Sequence, residues 1–211
     1  MKVQLSNIGR KFGKEWIFRN IGKGIEEESI IAVVGPNGSG KSTLLKIISG
    51  SELPTEGSVK YLLGAGEVEA EEIYKHISYA APYMDLPEQF SLKELLQFHH
   101  KIKGFGNKYL PEEMLDILYL QHSANKYVKD FSSGMKQRLK LGLAILNSSS
   151  ILILDEPCSN LDEQGVEWYQ KILKEHCNNR LVLIGSNNSK SEIFLCNDQI
   201  NLQDFKSQRS T

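Results

Sequence analysis

Residues Gly35-Pro36-Asn37-Gly38-Ser39-Gly40-Lys41-Ser42, with Thr43 following, set glycines, a lysine and a hydroxyl in the spacing G-x-x-x-x-G-K-S. Glycine adopts backbone conformations that a Cβ forbids, so successive amides of such a loop can turn inward on an anion. Lys41 would bring a point charge to the β- and γ-phosphates of a nucleotide, and the Ser42 hydroxyl suits a Mg²⁺ ligand. Both flanks agree. The apolar run Ile30–Val34 reads as a buried strand entering the loop, and residues 44–48 read as a helix leaving it. The dipole of that helix would favour negative charge at its start. An incidental glycine-rich turn is the alternative, but it leaves the strand and the helix unexplained. The expectation is a nucleoside triphosphate site.

A second constellation lies more than a hundred residues on. The apolar residues 151–154 end in Asp155-Glu156. Strand neighbours face opposite sides, yet where a chain leaves a strand both can hang over the carboxyl edge of a sheet, the place where α/β folds bind ligands. Asp155 would then hold the Mg²⁺ shell, and Glu156 would polarise a water attacking the γ-phosphate. Helix capping or a surface pair is the competing reading of such a dipeptide. Beside a phosphate loop it is the weaker one.

The 211 residues suffice for one domain with a sizeable insertion. A formal net charge of −1 argues against nonspecific binding to nucleic acid or to a membrane surface, both of which need a positive field. Cys158, Cys177 and Cys196 are odd in number and widely spaced, so they suggest neither a disulfide framework nor a zinc site, and point to a reducing cytosol. No apolar run approaches the ~20 residues that cross a bilayer. Met1-Lys2-Val3-Gln4-Leu5 alternates like a strand rather than a secretory leader.

The first sixty residues read as β-rich, with alternation at Val3 and Leu5, apolar Ile17, Phe18 and Ile21, and a short strand at 57–61. From about 87 to 147 the period turns helical. Ser91 and Glu94 form a capping box ahead of Leu92, Leu95, Leu96 and His99, Pro111 opens a helix carrying Met114, Ile117 and Leu118, and Leu139, Leu143 and Leu146 stripe a third. Strand–helix alternation then returns at 151–155, 168–173 and 181–185. These elements predict a single α/β domain over 1–205: a P-loop NTPase core on a mostly parallel sheet, an N-terminal antiparallel β subdomain, a helical insertion, and a polar tail at 206–211. His99 and His100 fit an amphipathic helix better than a metal site, because no carboxylate or cysteine stands at ligand spacing.

In order and spacing these motifs resemble the ATP-binding subunits of ABC transporters over nearly the whole chain. Residues 35–43 match that family's phosphate loop without a gap. Phe12 lies where the family has an aromatic that stacks on adenine, although an aromatic in a β-rich start also suits a core. Phe131-Ser132-Ser133-Gly134-Met135, then Lys136-Gln137-Arg138, is similar to the signature L-S-G-G-Q-x-Q-R, and Ser159-Asn160-Leu161-Asp162 to the D-loop. A hydroxyl at Ser132, an unshielded amide at Gly134 and the positive end of the next helix would together attract an anion. The resemblance implies ATP and Mg²⁺ as ligands. It implies a head-to-tail homodimer or heterodimer in which each signature faces the γ-phosphate held by the other subunit. It also implies an integral-membrane permease as partner and a peripheral place on the cytoplasmic face of the inner or plasma membrane; with the net charge, no nucleic acid is expected as partner.

Two positions depart from the family. Where it has Pro-Gln after the strand Ile77–Ala80, this chain has Ala81-Pro82, and proline offers neither side-chain oxygen nor N–H. Gln89 is a nearby amide. The switch-histidine position holds Asn187, which can donate a hydrogen bond to phosphate but carries no positive charge. The expectation is hydrolysis that is present but slowed by one to two orders of magnitude, roughly 1.4–3 kcal/mol of barrier. A non-transport ABC-type clamp acting on a soluble partner is the runner-up, and a module that binds ATP without turnover comes third. The short length and signature variant are similar to small bacterial exporter ATPases, including the haem-exporter type.

Overall fold

The structure, a computed structural model, describes residues 1–105 and 108–206. Strands β1 (Lys2–Phe12) and β2 (Glu15–Ile25) form a hairpin turned by Gly13 and Lys14. Val3, Leu5, Ile8, Phe18, Ile21 and Ile25 point into the core, but the pairing slips between Leu5 and Ile8, between Ile8 and Arg10, and between Arg10 and Lys11. Asn7 and Asn20 take left-handed backbone at φ 51° and 62°, a conformation asparagine tolerates well, and the strands are re-aimed there. Strand β3 (Ile30–Val34) leads through the phosphate loop into helix α1 (Lys41–Ile48). Strands β4 (Glu56–Leu63) and β5 (Gly66–Val68) complete an antiparallel sheet ordered β2-β1-β4-β5. Gly57, at φ +84°, lets β4 pass close to β1, since a Cβ there would fall 2.3 Å from the Ser6 carbonyl oxygen.

Beyond β6 (Ile77–Ala80) come α2 (Leu92–Ile102), α3 (Pro111–Ile117) and α4 (Ser133–Ile145). Strand β7 (Ile151–Asp155), α5 (Glu163–His176), β8 (Leu181–Ser186) and β9 (Asp198–Asn201) follow. The second sheet runs β6-β7-β8-β3-β9, with β7–β8, β8–β3 and β3–β9 parallel. Every residue of β7 and β8 is buried, which is why their sequences read as continuous apolar runs without alternation. This is the expected α/β class with an N-terminal antiparallel layer.

Contacts divide the chain into two units. The first comprises residues 1–79, 149–156 and the described residues from 177. It holds both sheets, apart from the last residue of β6, together with α1, around a core that includes Leu5, Phe18, Leu44, Ile48, Ile153 and Leu183. The second comprises 157–176 and the described residues of 80–148, and holds α2 to α5. The insertion expected at about 87–147 lies inside it. The tail expected at 206–211 lies, past Lys206, outside the described residues.

In the second unit, the Ser91 amide donates to Glu94 Oε2 at 2.8 Å and the Glu94 amide to Ser91 Oγ at 3.3 Å, the reciprocal cap read from the sequence. Helix α4 departs from its expected stripe. Leu139 and Leu146 are buried but Leu143 is half-buried, because Leu141, Gly142, Ala144 and Ile145 are buried too and the helix is enclosed on several sides. Gly142 admits Leu118, whose Cδ2 would lie 2.1 Å from a Cβ.

His99 stacks on Phe105 with ring centroids 5.1 Å apart, and His100 lies 5.7 Å from the same ring. Burial, then the charges of Lys103 and His100, push the His99 pKa down to about 4 from 6.5. The unfolded chain therefore binds a proton that the folded chain refuses between these values. The associated stability is complete above pH 6.5 and is lost as the pH falls toward 4. With allowance for partial solvation, moving from pH 7 to pH 5 should cost about 1–2 kcal/mol through this group, and His99→Gln should remove that part of the loss. Urea unfolding at the two pH values measures it, and equal losses in both proteins would assign the effect elsewhere.

Candidate functional site

A loop that presents its amides to a ligand must be free of intruding side chains. Gly38 sits at φ +75° with open space where a Cβ would stand, whereas at Gly40, φ +102°, a Cβ would fall 2.5 Å from Ile17 Cγ2. One glycine leaves the loop open and the other lets it settle onto β2. Pro36, Asn37 and Gly38 are exposed, while Ser39 is buried and its Oγ has no hydrogen-bond partner among the described residues. Helix α1 begins at Lys41 with no side chain capping its first turn. Amide donors at such an end suit an anion. Ser42 and Thr43 stand half-buried in that turn.

Lys41 is 5% exposed. Its Nζ donates to the carbonyls of Gly35 at 3.0 Å and Pro36 at 3.3 Å and to Asn187 Oδ1 at 2.5 Å, and it lies 3.8 Å from Glu156 Oε1. Three sequence-distant candidates thus meet at one ammonium. Asn187 directly follows β8, where the Ser186 hydroxyl donates to Glu192 at 2.5 Å and accepts from the Ser189 amide at 3.0 Å, which anchors the turn.

The two acidic residues part company at the end of β7. Asp155 is buried opposite Gly185 of β8, where a Cβ would lie 2.6 Å from Asp155 Oδ1 and 2.8 Å from Leu45 Cδ1. Glu156 takes left-handed backbone at φ 45°, its amide donates to the Gly185 carbonyl at 2.9 Å, and its side chain is 38% exposed. A non-glycine residue in this region is strained by about 1–2 kcal/mol. The left-handed turn ends the strand alternation at 156, leaving Asp155 enclosed and bringing Glu156 to Lys41. Phe12, also in this unit, ends β1 with 52% of its surface exposed.

The signature and D-loop candidates lie in the second unit. Ser132 caps α4, its Oγ accepting from the Met135 amide at 3.3 Å. A Cβ on Gly134 would stand 3.2 Å from the Asn160 carbonyl oxygen. Asp162 accepts from the Gly165 amide at 2.8 Å and lies 3.9 Å from Arg138, so its carboxylate is already engaged at the start of α5. Together with Tyr119 and Met135 these residues line a cavity of about 350 Å³. Gln137, named from the sequence only as part of the signature-like segment, is buried and its Nε2 donates to the Pro157 carbonyl at 2.9 Å, fixing the start of the segment that follows Glu156. That motif position, an amide on a helix otherwise rich in leucine, was the signal for it. Pro82, where a glutamine side chain was missing, contributes its carbonyl to Lys140 Nζ at 2.6 Å, and burial lowers the pKa of that lysine. Gln89 is exposed.

A family model described as ABC transporter matches residues 18–159. The chain belongs to the ABC transporter family. Among relatives within it, the Bacillus subtilis ABC transporter ATP-binding protein YcbN is 32% identical over 178 residues, 82% of this chain and 58% of its own length. YybJ of the same organism is 31% identical over 92% of this chain and 89% of its own. Human ATP-binding cassette sub-family A member 10 is 34% identical over 87% of this chain, which spans 12% of that protein. A solved structure described as a putative ABC transporter ATP-binding protein from Pyrococcus furiosus superposes with a TM-score of 0.80 at 25% identity, covering 98% of this chain and all of that one. ABC membership implies ATP and Mg²⁺ as ligands. No helix among the described residues is long and apolar enough to cross a membrane.

Proposed function

We propose that this chain is the ATP-binding and ATP-hydrolysing subunit of an ABC transporter. It would act at the cytoplasmic face of the membrane on a separate integral-membrane permease, as a homodimer or with a sister ATPase. The observation that carries this reading is the meeting of Lys41, Asn187 and Glu156 at the glycine loop. Amides of the 35–43 segment and the Lys41 ammonium bind the phosphates, and Phe12 stacks on the base. Ser42 and Asp155 are the residues that would hold Mg²⁺, whose charge offsets that of the phosphate oxygens. Glu156 accepts a proton from the attacking water. The Asn187 amide oxygen accepts from Lys41, which leaves its NH₂ to donate to the γ-phosphate. A neutral imidazole offers the same pair, one acceptor and one donor, so asparagine retains that bonding but, unlike histidine, cannot become a cation.

With one phosphate loop and one signature per chain, Ser132, Gly134 and the start of the 13-residue helix α4 serve the γ-phosphate bound to the other subunit. Asp162 keeps the D-loop ordered beside them. ATP then stabilises the closed pair through contacts made only there, and hydrolysis removes them.

Gel filtration with Mg·ATP against Mg·ADP tests the closure. A dimer that forms with ATP and not with ADP is expected, and a monomer under both conditions overturns it. The change at Ala81-Pro82 favours the clamp on a soluble partner as the second reading. Affinity purification from detergent-solubilised membranes separates the two: a multi-span membrane protein retained with the chain supports the transporter.

A further inference from the structure

The guanidinium of Arg10 lies over the Phe12 ring, 4.9 Å from its centroid. Arg10 is not a loose surface cation. Its Nη1 donates to the Leu53 carbonyl at 2.7 Å and its Nη2 lies 2.5 Å from Glu52 Oε1. Glu52 and Leu53 belong to the segment after α1, and the amides of Ser51 and Glu52 donate to the Lys46 carbonyl of that helix at 3.0 and 3.2 Å. The same segment is stitched to β1 by Thr55, whose amide donates to the Gly9 carbonyl at 2.8 Å and whose Oγ1 accepts from the Lys11 amide at 3.1 Å. One planar group therefore joins the exposed aromatic to the far end of the helix whose start adjoins the phosphate loop.

We infer that Arg10 is a positioning residue for the nucleotide base: it covers one face of Phe12 and fixes the ring relative to α1, so that the opposite face receives a purine. This rests on the reading of Phe12 as the base platform. A cation on one face draws electron density through the ring, which favours an electron-rich purine over a pyrimidine on the other. The fork geometry matters as much as the charge, because three partners are engaged in fixed directions.

The experiment compares binding of Mg·ATP with binding of inorganic tripolyphosphate, which has no base, in the wild type, Arg10→Gln, Arg10→Lys and Phe12→Leu, with thermal melts alongside. Arg10→Gln should weaken ATP about two- to fivefold, the scale of an exposed cation–π contact, and leave tripolyphosphate unchanged. Arg10→Lys should lose part of that factor, and it carries the test if Arg10→Gln fails to fold. Phe12→Leu should weaken ATP alone, by at least as much. Equal weakening of both ligands in the arginine variants would assign Arg10 to the phosphates or to the fold and overturn the inference. ATP weakened by Phe12→Leu but untouched in both arginine variants would overturn it while leaving the base platform standing. No effect from Phe12→Leu would remove the platform and the inference together.

Discussion

Glu156→Gln should bind Mg·ATP as the wild type does while steady-state phosphate release falls by about 10²–10⁴-fold, the range that a positioned general base contributes. The amide fills the same volume and keeps the left-handed backbone at 156, so the loop geometry persists. It loses the proton acceptor and the 3.8 Å ion pair with Lys41. The consequence reaches beyond rate. With cleavage of the γ-phosphate blocked, the ATP-closed dimer should outlast that of the wild type and give a larger dimer fraction by gel filtration. Wild-type turnover in this variant would show that another group activates the water and that Glu156 is the wrong base.

Lys41→Met should weaken ATP by about two orders of magnitude, near 3 kcal/mol, the upper range for a hydrogen bond to a charged group. The Lys41 side chain is almost wholly buried, so its charge is less screened toward a phosphate beside it than a surface charge would be. Methionine preserves the stem and its packing. It leaves the Gly35 and Pro36 carbonyls and Asn187 Oδ1 without their shared donor, so a modest drop in melting temperature should accompany the lost affinity. Lys41→Arg, with the charge kept on a wider head, separates the two effects. Isothermal titration against ATP and ADP reads the outcome, and an affinity unchanged in Lys41→Met would place the phosphates elsewhere.

Contiguous motifs were legible because their chemistry and their geometry share a few neighbouring residues. Gly38, Gly40 and Lys41 state both the turn and the charge, and the buried runs of β7 and β8 state their own layer. The N-terminal hairpin was harder. Two eleven-residue strands read as fragments, since the slips around Ile8 and Arg10 reset the alternation on which strand reading depends. Edge strands β5 and β9 went unread because, with three and four residues and little apolar content, they carry almost no pattern. At the site, the residues could be named but their meeting could not. Nothing local announces that Asn187 lies 2.5 Å from an ammonium 146 positions earlier, or that Arg10 covers Phe12.

The backbone twist at Glu156 sets heat tolerance against turnover. Asparagine or glycine at 156 would sit there with less strain, so either exchange should make the folded chain sturdier while erasing its base. A laboratory screen rewarding survival of heating alone would drift toward those letters. Retention of an acidic residue at 156 under such pressure would mark a lineage in which nucleotide turnover is still being selected.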